Sequence, residues 1–220
     1  MLRAVEIFVL ISIFSVILFR FVPIPVTPLM LLRCTKQIVA GKEVQLKKSW
    51  KSLDEISPAM PLAVIAAEDQ RFEEHFGFDV EAIRKAGEYN AKKKGKKVRG
   101  ASTISQQTAK NVFLWPSRSW IRKGFEVYFT FLLEVYWDKR RIMEVYLNVI
   151  ETGDGVYGVE AAAQKYFKKS ASKLSITESA RIASILPDPR RWSPVKQSPR
   201  LQRKTSRIIF FMGRLKPVEF

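Results

Sequence analysis

Apolar and polar positions divide this chain into one unbroken apolar stretch at the start and a succession of helix-length segments behind it. From Val5 to Val22 only Glu6, Ser12, Ser15 and Arg20 interrupt the apolar run. At helical rise these eighteen residues come close to the roughly 30 Å hydrocarbon core of a bilayer. Glu6 and Arg20 lie near the ends, where an arginine can snorkel. A cleaved signal peptide competes with a membrane anchor. The length of the run and the lack of a small-x-small site behind it favour an uncleaved single-pass anchor. Pro23-Ile24-Pro25-Val26-Thr27-Pro28 then reads as a rigid exit from the membrane. Only Arg3 and the terminal amine precede the run, whereas Arg20, Arg33 and Lys36 follow it. That count opposes a cytoplasmic N-terminus.

The pattern predicts a domain order of 1–33 as anchor and exit, 34–57 as polar, basic linker, and 58–220 as a catalytic domain. Within the last, Pro58 suits the first turn of an apolar helix through Ala67. Asp79 caps a helix with Val80, Ile83, Ala86 and Gly87 on one face. That helix runs into the Lys92–Lys97 region as a connector. Helices follow at about 103–113, from near 118 to 137, at 139–150, 159–167 and 177–186, and as a basic amphipathic segment at 200–215. Residues 125–137 are apolar nearly all round, so that helix is buried or faces lipid. Strand signals are few, and the class is mainly α.

Charge adds a partner class. With 38 Lys+Arg against 21 Asp+Glu, net +17, the chain calls for a polyanion: nucleic acid, an anionic membrane or a phosphorylated substrate. One cysteine, Cys34, excludes an intramolecular disulfide and leaves the compartment open. One histidine, His75, has no second His or Cys for a metal site, so a hydrogen-bonded structural role fits it better.

Three blocks carry chemistry. Glu68-Asp69 closes the apolar helix, a costly place for acids and therefore a site candidate. On the next block Thr103, Gln107 and Lys110 share a helical face whose hydroxyl, amide and ammonium suit sugar and phosphate oxygens. The alternative there is a capping box, Thr103-x-x-Gln106, which spacing alone favours. Arg118, Arg122 and Glu126 share a face of the third block. They are either a surface ion pair worth about 0.3–0.5 kcal/mol or a cationic clamp beside a carboxylate. Glu68 and Glu126 form a candidate carboxylate pair of the kind glycosyl chemistry uses, although unrelated surface acids remain the default for any two.

Taken together, the blocks resemble the peptidoglycan glycosyltransferase family, in its monofunctional biosynthetic branch. The resemblance covers Leu62–Pro194. It rests on Glu68-Asp69-Gln70-Arg71-Phe72-x-x-His75-x-Gly77-x-Asp79, on Arg99-Gly100-Ala101-Ser102-Thr103-Ile104-Ser105-Gln106-Gln107-Thr108-Ala109-Lys110-Asn111, on Arg122-Lys123-x-x-Glu126, on Ile142-Met143-Glu144-Val145-Tyr146-Leu147-Asn148, and on Gly153-x-Gly155-x-Tyr157-Gly158-Val159-Glu160. Ala101 and Asp188 depart from the common Gly and Asn. The chain stops soon after, leaving no room for a transpeptidase domain.

The resemblance implies a lysozyme-like helical domain with a small membrane-apposed jaw, on the periplasmic or external face of the bacterial inner membrane. It implies lipid II and the growing lipid-linked glycan as substrates. Glu68 would be the general base, with cations holding its pKa low, and Glu126 the second essential carboxylate. Lys110, Arg118, Arg122 and Lys123 would bind diphosphate, and Thr103, Gln107 and Asn111 would position the donor. Asp69 would bind substrate with them, and Glu68 and Asp69 would be the carboxylates near a diphosphate-bound Mg2+ or Mn2+. No organic cofactor and no nucleic acid are implied; cell-wall synthesis machinery is a candidate partner. The rival readings are a lysozyme-like lytic enzyme, a tethered binder of anionic lipid or nucleic acid, and an inactive membrane-tethered scaffold.

Overall fold

The computed structural model describes residues 2–93, 100–117 and 119–215, so Arg99, Arg118 and most of the lysine-rich connector lie outside the described residues. The mainly α class holds: the described residues contain ten α-helices, two 3-10 turns and one small sheet. α1 (Leu2–Phe21) is a single apolar helix of 20 residues, about 30 Å long at helical rise. It is the one described helix long and apolar enough to cross a membrane.

α1 does not stand apart from the rest. It lies along α6 (Trp120–Tyr136). Phe8 meets Phe125 edge-on at 5.6 Å, and Ser12 shares a 2.6 Å hydrogen bond with the Tyr128 hydroxyl. The Trp137 indole donates to the Val16 carbonyl at 2.8 Å. Just beyond, α7 (Lys139–Val149) sends Arg141 to the carbonyls of Phe19 and Val22, at 2.8 and 2.7 Å. The last carbonyls of a helix have no partner within it, and a guanidinium there also meets the negative end of the helix dipole.

The expected linker is different. Thr27 caps α2 (Pro28–Val39), with Pro28 in the first turn, so the proline-rich exit is also a helix start. The 34–57 stretch holds the end of α2, strand β1 (Lys47–Lys48) and a 3-10 turn at Leu53–Glu55. β1 pairs parallel with β3 (Val156–Tyr157), which pairs antiparallel with β2 (Glu151–Gly153), giving the order β1-β3-β2. Asn148 on α7 holds both backbone groups of Lys51, and Glu144 accepts from the Leu53 amide. Two-residue strands are too short to write a period-2 pattern. The polar surface of α2 reads as linker because only Met30 of that helix is fully buried.

The core is built by α3 (Ala59–Glu68) against α9 (Ile176–Ile185) and α10 (Pro199–Met212), and by α5 (Ile104–Phe113) against α6 and α7. α8 (Val159–Phe167) closes the sheet side. α6 answers both readings of its apolar surface. Phe129, Leu132 and Leu133 are buried, while Trp120, Ile121, Val127, Phe131 and Val135 face outward. α4 (Val80–Lys92) differs from its predicted face: Ala86 is buried, but Val80 and Ile83 are exposed. Phe76 is exposed as well, its ring centre 6.2 Å from that of Phe131.

Candidate active site

Glu68 is the last residue of α3, a helix otherwise made of apolar residues. Asp69 leaves the helical conformation and ends it, with φ −157°. The loop that follows is pinned from three sides. Phe72 is fully buried with the Lys139 ammonium 4.7 Å from its ring centre, and the same ammonium donates to the His75 carbonyl at 2.7 Å. Gly77 has φ +76°, and a Cβ there would meet the Thr130 methyl at 2.8 Å. Its carbonyl accepts from the Thr103 hydroxyl at 2.6 Å.

Asp69 points inward. Its oxygens take the His75 Nε2–H at 2.9 and 3.1 Å and the Ile104 amide at 3.0 Å. An ionised carboxylate can only accept, which places the ring proton on Nε2. Asp69 therefore joins the loop to the N-terminus of α5, and His75 has the structural role the sequence suggested. Each Asp69 oxygen already accepts a hydrogen bond, and the residue lines the same cavity as Glu68. Among the described residues no group of three or more His, Cys, Asp or Glu side chains is placed to hold a metal ion. Thr103 is likewise a cap: its hydroxyl accepts from the Gln106 amide, and the Gln106 side chain returns to the Thr103 amide. The capping box wins at that residue.

Three residues of α5, Gln107, Lys110 and Asn111, face the cleft. Gln107 donates from Nε2 to Glu68 at 3.1 Å, and its Oε1 accepts from the Tyr146 hydroxyl at 3.3 Å. Tyr146 thereby fixes which end of the amide meets Glu68. One turn on, Lys110 sits among Glu126, Arg122, Lys123 and Glu68, and burial lowers its pKa. Asn111 turns a buried Nδ2 with no partner toward the same space. Glu126 is 3% exposed and pairs with both Arg122 and Lys123, which excludes a solvent-screened surface pair. Arg122 keeps a buried Nε with no partner. Arg118 is outside the described residues.

Sequence reading missed the contribution of α10. Its packing against α3 and α9 brings Lys204 close enough for charge interaction with Glu68, with its ammonium on the Ser184 carbonyl at 3.0 Å. Burial pushes the Glu68 carboxyl above the ordinary carboxylate range. Lys204, Gln107 and Lys110 pull it back, and Asp69 adds to the rise. The expectation that cations hold this pKa low is therefore reversed in direction: desolvation is the larger effect. Nothing in the pattern of 200–215 beyond its basic character pointed to this role.

Two cavities meet at Gln107 and Pro187. One, of about 690 Å³, is lined by Glu68, Arg71, Lys85, Ser102, Arg207 and Phe211 among others. The second, of about 630 Å³, is lined by Lys110, Asn111, Arg122, Trp115, Arg33 and Glu151 among others. Glu68 stands at the first cavity beside Gln107, and the free cationic donors stand in the second. Such a layout suits two substrates that meet at one carboxylate, with an anionic group held on one side.

Known proteins resemble this chain along most of its length. A family model described as Transglycosylase matches residues 35–213, a span that includes most of the supposed linker. A biosynthetic peptidoglycan transglycosylase of Bacteroides thetaiotaomicron is 53% identical over 211 residues, covering 94% of this chain and 84% of that protein. One from Caulobacter vibrioides is 55% identical over 194 residues, covering 88% and 81%. One from Bdellovibrio bacteriovorus is 57% identical over 190 residues, covering 86% and 75%. With the family matched across most of its length and relatives this similar along nearly all of it, the chain belongs to the transglycosylase family.

Proposed function

We propose that this protein polymerises lipid II into peptidoglycan glycan strands by inverting glycosyl transfer, releasing polyprenyl diphosphate. The observation that carries the reading is the position of Glu68 in the first cavity, hydrogen-bonded to Gln107 where the two cavities meet, with Lys110, Arg122 and Lys123 gathered around Glu126 on the other side. The first cavity takes the acceptor lipid II. The second takes the lipid-linked end of the growing strand.

Glu68 removes the proton from the acceptor 4-hydroxyl as that oxygen bonds to C1 of the donor sugar. The C1–diphosphate bond breaks on the opposite face, and the configuration at C1 inverts. Gln107, held by Tyr146, keeps the Glu68 oxygen aimed. A carboxyl whose pKa is raised is a stronger base once ionised, and the cations around it keep the ionised form accessible. Charge growing on the leaving diphosphate is met by Lys110 and by the unpartnered Arg122 Nε–H, donors already in place before reaction. Glu126 holds Arg122 and Lys123 in position. These three cations provide the charge balance through the protein itself. A divalent ion on the diphosphate would be held from the protein side by Glu68, with Asp69 beside it in the wall of the same cavity.

α1 anchors the chain in the bacterial inner membrane, with the domain on the outer side, where a lipid-linked donor is presented. The outward row of Trp120, Ile121, Val127 and Phe131 on α6 lies against the bilayer beside it. Cell-wall synthesis machinery is the natural partner of an enzyme so placed.

The test is the full chain in detergent with labelled lipid II, compared with Glu68→Gln. Long glycan from the parent and none from the variant supports the reading. Polymer from both moves the base elsewhere, and fragments cut from preformed glycan would establish a lytic enzyme instead.

A further inference from the structure

The second cavity has a further charged pair in its wall. Arg33, on α2, and Glu151, on β2, both line it, facing the space that Lys110, Asn111 and Arg122 bound elsewhere. They touch each other through a single long contact, Arg33 Nη2 to Glu151 Oε2 at 3.3 Å. Each also has a polar atom that is buried and lacks a partner, Nε of Arg33 and Oε1 of Glu151. Glu151 is 9% exposed, and burial raises its pKa against the pull of Arg33 and Arg190.

A structural ion pair gains from close, bidentate geometry and from filling its remaining donors and acceptors. This pair does neither. Both residues line the cavity, and each leaves one polar atom unpartnered, a donor on Arg33 and an acceptor on Glu151. That combination does not suit a second phosphate, which the carboxylate would repel. It suits a neutral group with both functions, such as an amide or a hydroxyl. The N-acetyl sugars of the lipid-linked strand carry both.

We propose that Arg33 and Glu151 are positioning residues for the glycan strand in the donor cavity. In this arrangement Arg33 Nε–H donates to a carbonyl or hydroxyl oxygen of the strand, and Glu151 accepts from the matching N–H or O–H. The helix that follows the membrane anchor is then a wall of the substrate site. The inference rests on the donor assignment made under the proposed function.

The experiment uses the full chain in detergent with two substrates: lipid II as acceptor, and a lipid-linked tetrasaccharide blocked at its far 4-hydroxyl, which can act only as donor. Arg33→Lys keeps a cation for Glu151 but removes the Nε–H. Glu151→Leu removes the acceptor, and Glu151→Gln restores an oxygen. KM for the blocked donor is expected to rise about tenfold in Arg33→Lys and Glu151→Leu, the scale of one hydrogen bond to a charged group. KM for lipid II and the melting temperature of Arg33→Lys should stay at parental values, and Glu151→Gln should recover most of the donor KM. An unchanged donor KM in both Arg33→Lys and Glu151→Leu overturns the inference. So does a loss in kcat and melting temperature with no KM split, which would mark a purely structural pair. Glu68→Gln is run alongside. If it remains fully active, the proposed function itself fails; if it is dead while the Arg33 and Glu151 variants are normal, only this inference fails.

Discussion

Replacing Asp69 separates two roles that its place beside Glu68 leaves open. In the structure its carboxylate is 3% exposed and holds His75 and the first turn of α5. Asp69→Ala removes an acceptor at a helix N-terminus, which costs about 0.5–2 kcal/mol. It also leaves the buried His75 Nε2–H without a partner, about 1–3 kcal/mol more. The two sites share one carboxylate, so a total of roughly 2–4 kcal/mol is the working figure. At roughly 2–4 °C per kcal/mol for a domain of this size, the melting temperature should fall by roughly 5–15 °C. Asp69→Asn keeps one acceptor oxygen and should lose about half as much. Activity should fall with stability, because α5 carries Gln107, Lys110 and Asn111. The assay is thermal unfolding of the full chain in detergent, followed by tryptophan fluorescence, with initial rates on lipid II measured across a Mg2+ titration. An unchanged melting temperature in Asp69→Ala, together with a changed Mg2+ dependence, would refute the reasoning and make Asp69 a cation ligand.

Lys110→Gln should lower kcat on lipid II by about 10²–10³-fold, as loss of one preorganised charge donor does, while leaving stability equal or higher because a desolvated ammonium is gone; a parental rate would remove Lys110 from the leaving-group site. Burial raises Glu68 in the folded state, so between its unfolded and folded pKa values the folded chain binds more protons than the unfolded one, and stability falls as pH rises through that window. Glu68→Gln should therefore be more stable than the parent above the window. The acid limb of kcat/KM should lie above the ordinary glutamate range, and Lys204→Met should move it further up, since Lys204 is the largest influence opposing burial. A limb that does not respond to Lys204 would contradict the α10 contribution. Gly158 has φ +79°, and a Cβ there would meet the Asn148 carbonyl at 2.8 Å. Gly158→Ala should cost about 1–3 kcal/mol, read as a lower urea midpoint at constant slope.

Local pattern carried the elements of this protein. The apolar run of α1, the Asp79 cap of α4 and the Thr103–Gln106 box of α5 are all decided within a few residues of chain, by burial, by a side-chain acceptor and by helical period. Spacing placed Gln107 with Lys110 and Arg122 with Glu126 on shared helical faces, and the resemblance of the ordered motifs singled these residues and Glu68 out as a site. Only the tertiary structure decided what those faces meet. It tied Asp69 to the first turn of α5, gave the Thr103 hydroxyl proton to the Gly77 carbonyl, and made the 34–57 stretch part of the domain through Asn148 and β3. It also set Lys204 against Glu68 from a helix more than a hundred residues away in sequence, and placed Arg33 and Glu151 in one wall. The Glu68 pKa shows the physical reason. Desolvation depends on everything packed around a group, and no window of neighbouring residues contains that sum.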